Sequence, residues 1–402
     1  MELSNRVKSL KPSPTLAVGA RANQLRAEGK EILNLSLGEP DFPTPAPIQE
    51  AGQRAILEGK TTYTPVAGIS ALREAIADFL KRHKQLNYTA SNIVVSTGAK
   101  QSLYNAIMSV VGPEDEVIIP TPFWVSYTTQ VELAGGTPVL VYSKIEDNFQ
   151  LNVDDIEAAI TPKTKMVIVN SPNNPTGAVY SKDCMQALAN LLMKHPNIWL
   201  LCDDIYDQLV YGGLEATNPL QFEASLQERS IIINGFSKAY AMTGWRMGYM
   251  AAPEPVVKAA IALQGAATSG PNAPTQYAAL KALDESLNST ILEMRDTFAD
   301  RLTCMKEAFG SIPNTTYSTP DGAFYLMVDF TQWLGSTTPS GTTISNTLEL
   351  ATYLLEEGLV AGVPGEAFGV PGTIRFAYST NKEIIRKASE HITQALQKLA
   401  LR

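Results

Sequence analysis

The sequence predicts an α/β fold, with a large domain built on a mainly parallel sheet flanked by helices and a smaller α+β domain contributed by both chain ends. Three observations carry this expectation. Apolar runs recur at Ile93–Ser96, Glu116–Ile119, Pro138–Tyr142, Met166–Val169, Ile198–Cys202 and Ile231–Ile233, most of them separated by helix-sized segments, the rhythm of parallel strands joined by crossover helices. The run Ile231–Ile233 is continuous and β-branched, as expected of a strand buried on both faces. The last third changes character: a long amphipathic segment is followed by alternating strands rather than by further strand–helix pairs.

Residues 1 to about 30 read as an N-terminal arm, in which the two prolines of Lys11-Pro-Ser-Pro-Thr15 favour an extended path. Leu33–Phe42 alternates as a strand and ends in a Gly-Glu-Pro turn, where Gly38 either lets backbone approach a ligand or simply turns the chain. Leu72, Ile76, Phe79 and Leu80 share one face of a helix over Ser70–Lys84. After the strand at Ile93, Thr97-Gly-Ala-Lys-Gln101 opens a helix running to about Val111. Its free N–H groups and dipole suit a phosphate, although many such turns bind nothing.

Ile291, Met294, Phe298, Leu302, Met305 and Phe309 form a helical seam apt to join two domains. Gly322–Phe330 reads as a strand and Gly335–Gly341 as a surface loop. Thr373–Ser379 alternates with Arg375 on one face, and Thr380-Asn-Lys-Glu383 offers a capping box for the final helix. The expected division is 1–45 as arm and part of the small domain, 46–290 as the large domain and 291–402 as the small C-terminal domain.

With 402 residues, 45% apolar and 18% charged, the composition is that of a globular chain. No apolar window approaches eighteen residues and no secretory segment stands near the start, so a soluble, cytoplasmic protein without membrane contact is expected. The net charge of −8 disfavours nucleic acid as a partner. Cys184, Cys202 and Cys304 lack metal spacing, and His83, His195 and His391 lie away from the strand ends. A zinc site or a histidine triad is therefore unsupported, no metal is expected, and chemistry must run on Lys, Asp, Tyr and a cofactor.

The strand ends carry the polar residues that matter, because ligands of parallel sheets bind there. Lys238 follows the Ile231–Ile233 strand by a few residues, where partial desolvation would yield a neutral amine, though alone it also reads as a surface lysine. Asp203 and Tyr206 follow Trp199–Cys202; an acid there is either a counter-ion or a structural cap. Trp124 stands in a proline-bounded loop able to hold an indole against a ring. Asn174 stands in the turn Ser171-Pro-Asn-Asn-Pro-Thr-Gly177.

The segment Gly235-Phe-Ser-Lys-Ala-Tyr-Ala-Met-Thr-Gly-Trp-Arg-Met-Gly248 resembles the pyridoxal-phosphate lysine signature of class I (fold-type I) aminotransferases, and the likeness extends along most of the chain. The resemblance implies a seven-stranded sheet in the large domain and pyridoxal 5′-phosphate as cofactor. It implies Lys238 as the covalent attachment point and proton carrier, with Asp203 on the pyridine nitrogen. Tyr206 and Asn174 would hydrogen-bond the phenolic oxygen, and Trp124 would stack on the ring. Ser237, Arg246 and the Gly98-Ala99-Lys100 turn would bind the phosphate, joined by Tyr63 of a second subunit in a homodimer. Arg375 would grip the substrate α-carboxylate, with Gly38, Trp124 and Asn174 beside it.

The closest likeness is to the bacterial aspartate/prephenate aminotransferase branch, where Lys100 matches a lysine that reads acidic side chains and Lys11, Ser13 and Thr15 match arm residues. Aspartate or glutamate would then be donors and 2-oxoglutarate or oxaloacetate acceptors, with prephenate use left open. The turn here is Gly-Ala-Lys rather than Gly-Gly-Lys, and residues 264–276 hold no arginine. Alanine or an aromatic amino acid as substrate, a C–S or β-lyase, and a catalytically silent binding protein are the alternatives.

Overall fold

The computed structural model describes residues 2–8, 10 and 14–401. Seven strands form the large sheet in the order Ile93–Ser96, Gly248–Ala251, Ser230–Gly235, Trp199–Asp203, Thr164–Asn170, Glu116–Pro120, Thr137–Val141. All run in one direction except Gly248–Ala251, which is antiparallel to both neighbours. That strand was not among the apolar runs read from the sequence, because Gly248-Tyr-Met-Ala251 is short and opens on a glycine. The glycine is required: a Cβ on it would lie 2.7 Å from Ala99 Cα, so the strand could not pass beneath the start of the Ala99–Val110 helix.

Both faces of the sheet are covered. Ile232, Leu200, Val167 and Ile118 pack on one side with the helix Ser70–Lys84, and Ile231, Leu201, Ile168 and Val117 on the other with Ala99–Val110. This alternation along each strand places two apolar cores on one sheet.

A third core belongs to the C-terminal part of the chain. A four-stranded antiparallel sheet, Val363–Pro364, Thr373–Ala377, Tyr325–Asp329, Thr316–Tyr317, lies against the helices Asn288–Phe309 and Lys382–Gln397 through Phe298, Phe309, Phe376 and Ile392. Residues from elsewhere join this core: Leu33 and Leu35 from the N-terminal part, and Tyr206, Leu209 and Tyr211 from the loop after Trp199–Asp203. The two bodies are thus tied at the place where the large sheet's C-terminal edge opens.

The N-terminal segment departs from the extended path expected of it. A helix spans Pro14–Ala27, with Pro14 at its first position, where a missing N–H costs nothing. Val18, Ala22 and Leu25 bury their side chains against Ile32, Leu355 and Ala361, and Arg21 meets Glu356 at 2.7 Å. The expected strand over Leu33–Phe42 shrinks to Leu33–Asn34, paired with Val360–Ala361. At the last helix the cap is Asn381, whose side chain accepts from Ile384 N. The Thr380–Glu383 box is therefore off by one residue, since the amide of Asn381 reaches the third helical N–H as well as a hydroxyl could.

Candidate active site

The C-terminal edge of the large sheet, the Ser36–Glu39 backbone and the small sheet enclose a cleft of about 1600 Å³. The loop between Gly235 and Gly248 brings in Lys238, on a turn directly after the strand. Lys238 Nζ donates to Gly38 O and lies 5.7 Å from the ring centres of both Tyr206 and Phe324. Burial, then the charge of Arg375, pulls its pKa down to about 8. An ammonium normally titrating near 10.5 thus becomes available as a free amine just above neutrality.

Asp203 is the last residue of its strand and 5% exposed. Tyr127 donates to its Oδ2 at 2.7 Å and the Ile205 amide to its Oδ1 at 3.3 Å. Burial nonetheless pushes its pKa up to about 6, so without a cation the carboxylate is costly to keep charged. Tyr206 shares a 2.7 Å hydrogen bond with Tyr325. Burial, reinforced by Tyr325, holds its phenol well above the usual range, and it stays protonated.

Opposite them stands Arg375, from the middle of the strand Thr373–Ala377. It donates to Asn174 Oδ1 and to Ser36 O, each at 2.9 Å, and its guanidinium lies 4.5 Å from the Tyr325 ring centre and 5.0 Å from that of Phe368. Its buried Nε has no partner, a donor left over in a residue made for two-point anion contacts. Asn174 is held from behind, its amide bonded to Asn170 Oδ1 at 2.8 Å while Asn170 Nδ2 reaches Asp203 O at 2.8 Å.

At the other end, Arg246 takes a left-handed backbone conformation, φ 57°, and donates to Thr243 O at 2.9 Å. Its guanidinium fills the space over Gly98, where a Cβ would come within 2.9 Å of Arg246 Cζ; φ there is +80°. Glycine is therefore needed on both counts. Gly98 precedes the helix Ala99–Val110, so the helix N-terminus, with Arg246 over Gly98 and Ser237 lining the same cleft, is chemically suited to an anion. Lys100 Nζ sits 4.8 Å from the Trp124 ring centre, its pKa lowered by partial burial and then by Arg246.

The structure gathers Gly38, Ala99, Lys100, Trp124, Asn174, Asp203, Tyr206, Ser237, Lys238, Arg246 and Arg375 along one cleft, with Gly98 just behind. It does not bring in Tyr63, which is 97% exposed on an outer loop. Lys11 and Ser13 lie outside the described residues, and of Thr15 only the backbone, in the first turn of its helix, is described. Among the described residues no cluster of metal-ligating side chains occurs and no helix is long and apolar enough to cross a membrane. The three cysteines are unpaired. Sequence reading missed Tyr127, Asn170 and Tyr325, the partners of Asp203, Asn174 and Tyr206. Only spacing hinted at one of them: Tyr127 stands three residues after Trp124, and their rings meet edge-on at 5.7 Å.

A family model described as aminotransferase class I and II matches residues 30–392. The chain is 43% identical over 390 residues to an aspartate/prephenate aminotransferase of Cereibacter sphaeroides, covering 97% of both chains. It is 40% identical to an aspartate aminotransferase of Bacillus subtilis, covering 99% of this chain and all of the relative. The crystal structure of the Rhizobium meliloti aspartate aminotransferase superposes with a TM-score of 0.96 at 40% identity, over the full length of both chains. That of the Thermus thermophilus aspartate aminotransferase with maleate gives 0.91 at 38% identity, over 98% of this chain and all of the other.

Proposed function

The chain belongs to the class I and II aminotransferases, enzymes that use pyridoxal phosphate, and from that premise we propose that it transfers the amino group of aspartate or glutamate to 2-oxoglutarate or oxaloacetate. Relatives named for aspartate alone and for aspartate and prephenate both support this reading, and prephenate is the further acceptor to be tried. The observation that carries it is the convergence of Lys238, Asp203, Tyr206 and Arg375 on one cleft, with Arg375 Nε lacking a partner.

The donor set suits the cofactor at each end. Lys238 is the attachment point, its lowered pKa supplying the amine. Asp203 would hold a proton on the ring nitrogen, a cation that would offset the cost of its own burial. Tyr206 and Asn174 would meet the phenolic oxygen, and Trp124 would cover the ring. Arg246, Ser237 and the Gly98–Lys100 turn would hold the phosphate. When bound, the group supplies an electron sink for the charge that develops at the substrate Cα.

This chain's residues then do three things. Arg375 pairs with the α-carboxylate and fixes the substrate, Asn174 keeping the guanidinium aimed. Lys238 Nζ takes the proton from Cα and later returns one, its pKa of about 8 placing it near the working range for both steps. Lys100, at the cleft mouth, reads the second carboxylate of an acidic donor. Tyr63, exposed here, would complete the phosphate site of a second copy in a homodimer, and the unpaired cysteines fit a reducing cytoplasm.

The purified enzyme should show the absorption band of lysine-bound pyridoxal phosphate and turn over aspartate and glutamate faster than alanine or phenylalanine, measured with each acceptor in turn. Release of ammonia and pyruvate without an acceptor would replace transamination by a lyase reaction, and a colourless, inactive protein would remove the reading altogether.

A further inference from the structure

The turn that carries Asp203 and Tyr206 has a second face, and a buried ion cluster occupies it. Asp204 N donates to Ile233 O at 2.8 Å, Asp207 N to Asp204 O at 2.9 Å, and Leu209 N to Tyr206 O at 2.8 Å. Residues three apart leave this turn on the same side. Asp203 and Tyr206 line the cleft, whereas Asp204 and Asp207 point away from it to Lys84, the last residue of the helix Ser70–Lys84.

Lys84 Nζ lies 3.4 Å from Asp207 Oδ2 and 3.8 Å from Asp204 Oδ2, and donates to Ala216 O at 2.8 Å. Asn218 Nδ2 donates to Asp204 Oδ2 at 3.0 Å. The three ionic side chains are between 4% and 6% exposed. Burial alone would lower the pKa of Lys84, but Asp207 and Asp204 outweigh it, so the ammonium stays charged. Asp204 is the surplus charge: burial, with Asp207 adding to it against Lys84, pushes its carboxyl up to about 6.

The helix Ser70–Lys84 ends on four basic residues, Lys81-Arg82-His83-Lys84, of a kind usually left in water. The folded chain instead puts the Lys84 ammonium out of water, at a desolvation cost that well-packed apolar residues would avoid. Stability alone is therefore a weak reason for the cluster. What it does is pin Asp204 and Asp207, on one face of a turn whose other face carries Asp203 and Tyr206 into the cleft.

We propose that Lys84 is a positioning residue: by clamping Asp204 and Asp207 behind the turn, it fixes the aim of Asp203 and Tyr206 at the cofactor. This rests on the assignment of those two residues made above. Lys84 touches neither substrate nor cofactor and acts through the turn alone.

The test compares Lys84→Met, Asp207→Asn and Asp203→Asn with the parent holoenzyme. For Lys84→Met the dissociation constant for pyridoxal phosphate should rise roughly tenfold and kcat fall roughly ten- to hundredfold, as expected of misplacement by a fraction of an ångström, with the donor KM within about threefold. The pH at which the absorption band of the bound cofactor changes should move in the same direction as in Asp203→Asn. A merely structural lysine would lower the unfolding temperature and leave cofactor affinity, kcat per bound cofactor and the spectral titration unchanged, which would overturn the proposal.

Should Lys84→Met fail to fold, Asp207→Asn decides. It keeps the Lys84–Asp204 contact, and a rise of about two- to fivefold in the cofactor dissociation constant, with the same spectral displacement, is expected; no change in either overturns the clamp. If Asp203→Asn binds the cofactor as the parent does, the Asp203 assignment is lost and the positioning role falls with it. If Asp203→Asn is impaired and both clamp variants are not, only the clamp is lost.

Discussion

The floor of the cleft and its rim are built on different terms. On the floor, Asp203, Tyr206 and Arg375 are buried and already bonded within the chain, to Tyr127 at 2.7 Å, to Tyr325 at 2.7 Å and to Asn174 at 2.9 Å. On the rim, Lys100 is exposed beside Trp124 with no acceptor for its ammonium among the described residues, and Tyr63 is almost wholly exposed. Most polar groups of the floor find partners within the chain because unpaired buried groups are costly, the Arg375 Nε excepted; on the rim, water can serve the exposed groups. One chain therefore completes the part that, on the proposed function, would hold atoms in place for proton transfer. The part that would choose among substrates keeps groups free for a ligand.

The sharpest way to break this contrast is to disable one residue of each kind. Lys238→Ala should cost at least about 10⁴-fold in turnover, since on the proposed function it removes both the attachment amine and the proton carrier. Loss of the cofactor's lysine-bound absorption band should accompany it. Turnover near the parent level would mean that the floor does not do the chemistry.

Lys100→Ala should act more gently and selectively. The KM for aspartate should rise about tenfold, the share of one charge-assisted contact, while alanine or phenylalanine turnover changes less than about twofold. Equal losses with all donors would make Lys100 part of the phosphate cradle instead. Unchanged aspartate kinetics would move side-chain recognition elsewhere on the rim.

The same contrast governs what the sequence could disclose. The strands were legible because a strand covered on both sides must be apolar throughout, as Ile231–Ile233 is. Gly248–Ala251 escaped because its determinant is a steric fit beneath Ala99 rather than a pattern. The site residues stood out through their place at strand ends and through one compact motif, Gly235 to Gly248. Their supports did not: Tyr127, Tyr325 and Asn170 come from three separated segments and meet Asp203, Tyr206 and Asn174 only after folding. Lys84 shows the limit most clearly. A lysine in a basic helix end carries the same local signal whether it faces water or, as here, two aspartates more than a hundred residues away.

The effect that leaves turnover aside reports on what the floor costs. With its pKa pushed up from 3.8 to about 6 by burial, Asp203 binds a proton more readily in the folded protein than in the unfolded chain. In the cofactor-free enzyme its contribution is thus most favourable below about pH 4 and is lost as the pH rises towards 6, beyond which the penalty is constant. Asp203→Asn keeps an acceptor for Tyr127 but has no charge to bury. Cofactor-free Asp203→Asn should therefore unfold a few degrees above the parent at pH 8, a gain on the order of 3 kcal/mol that has largely gone by pH 4. Saturation with pyridoxal phosphate should reverse the order, because the parent alone then gains a buried ion pair. Thermal scans with and without cofactor at both pH values check this, and a parent more stable than Asp203→Asn in every condition would show that the carboxylate is already matched by the protein itself.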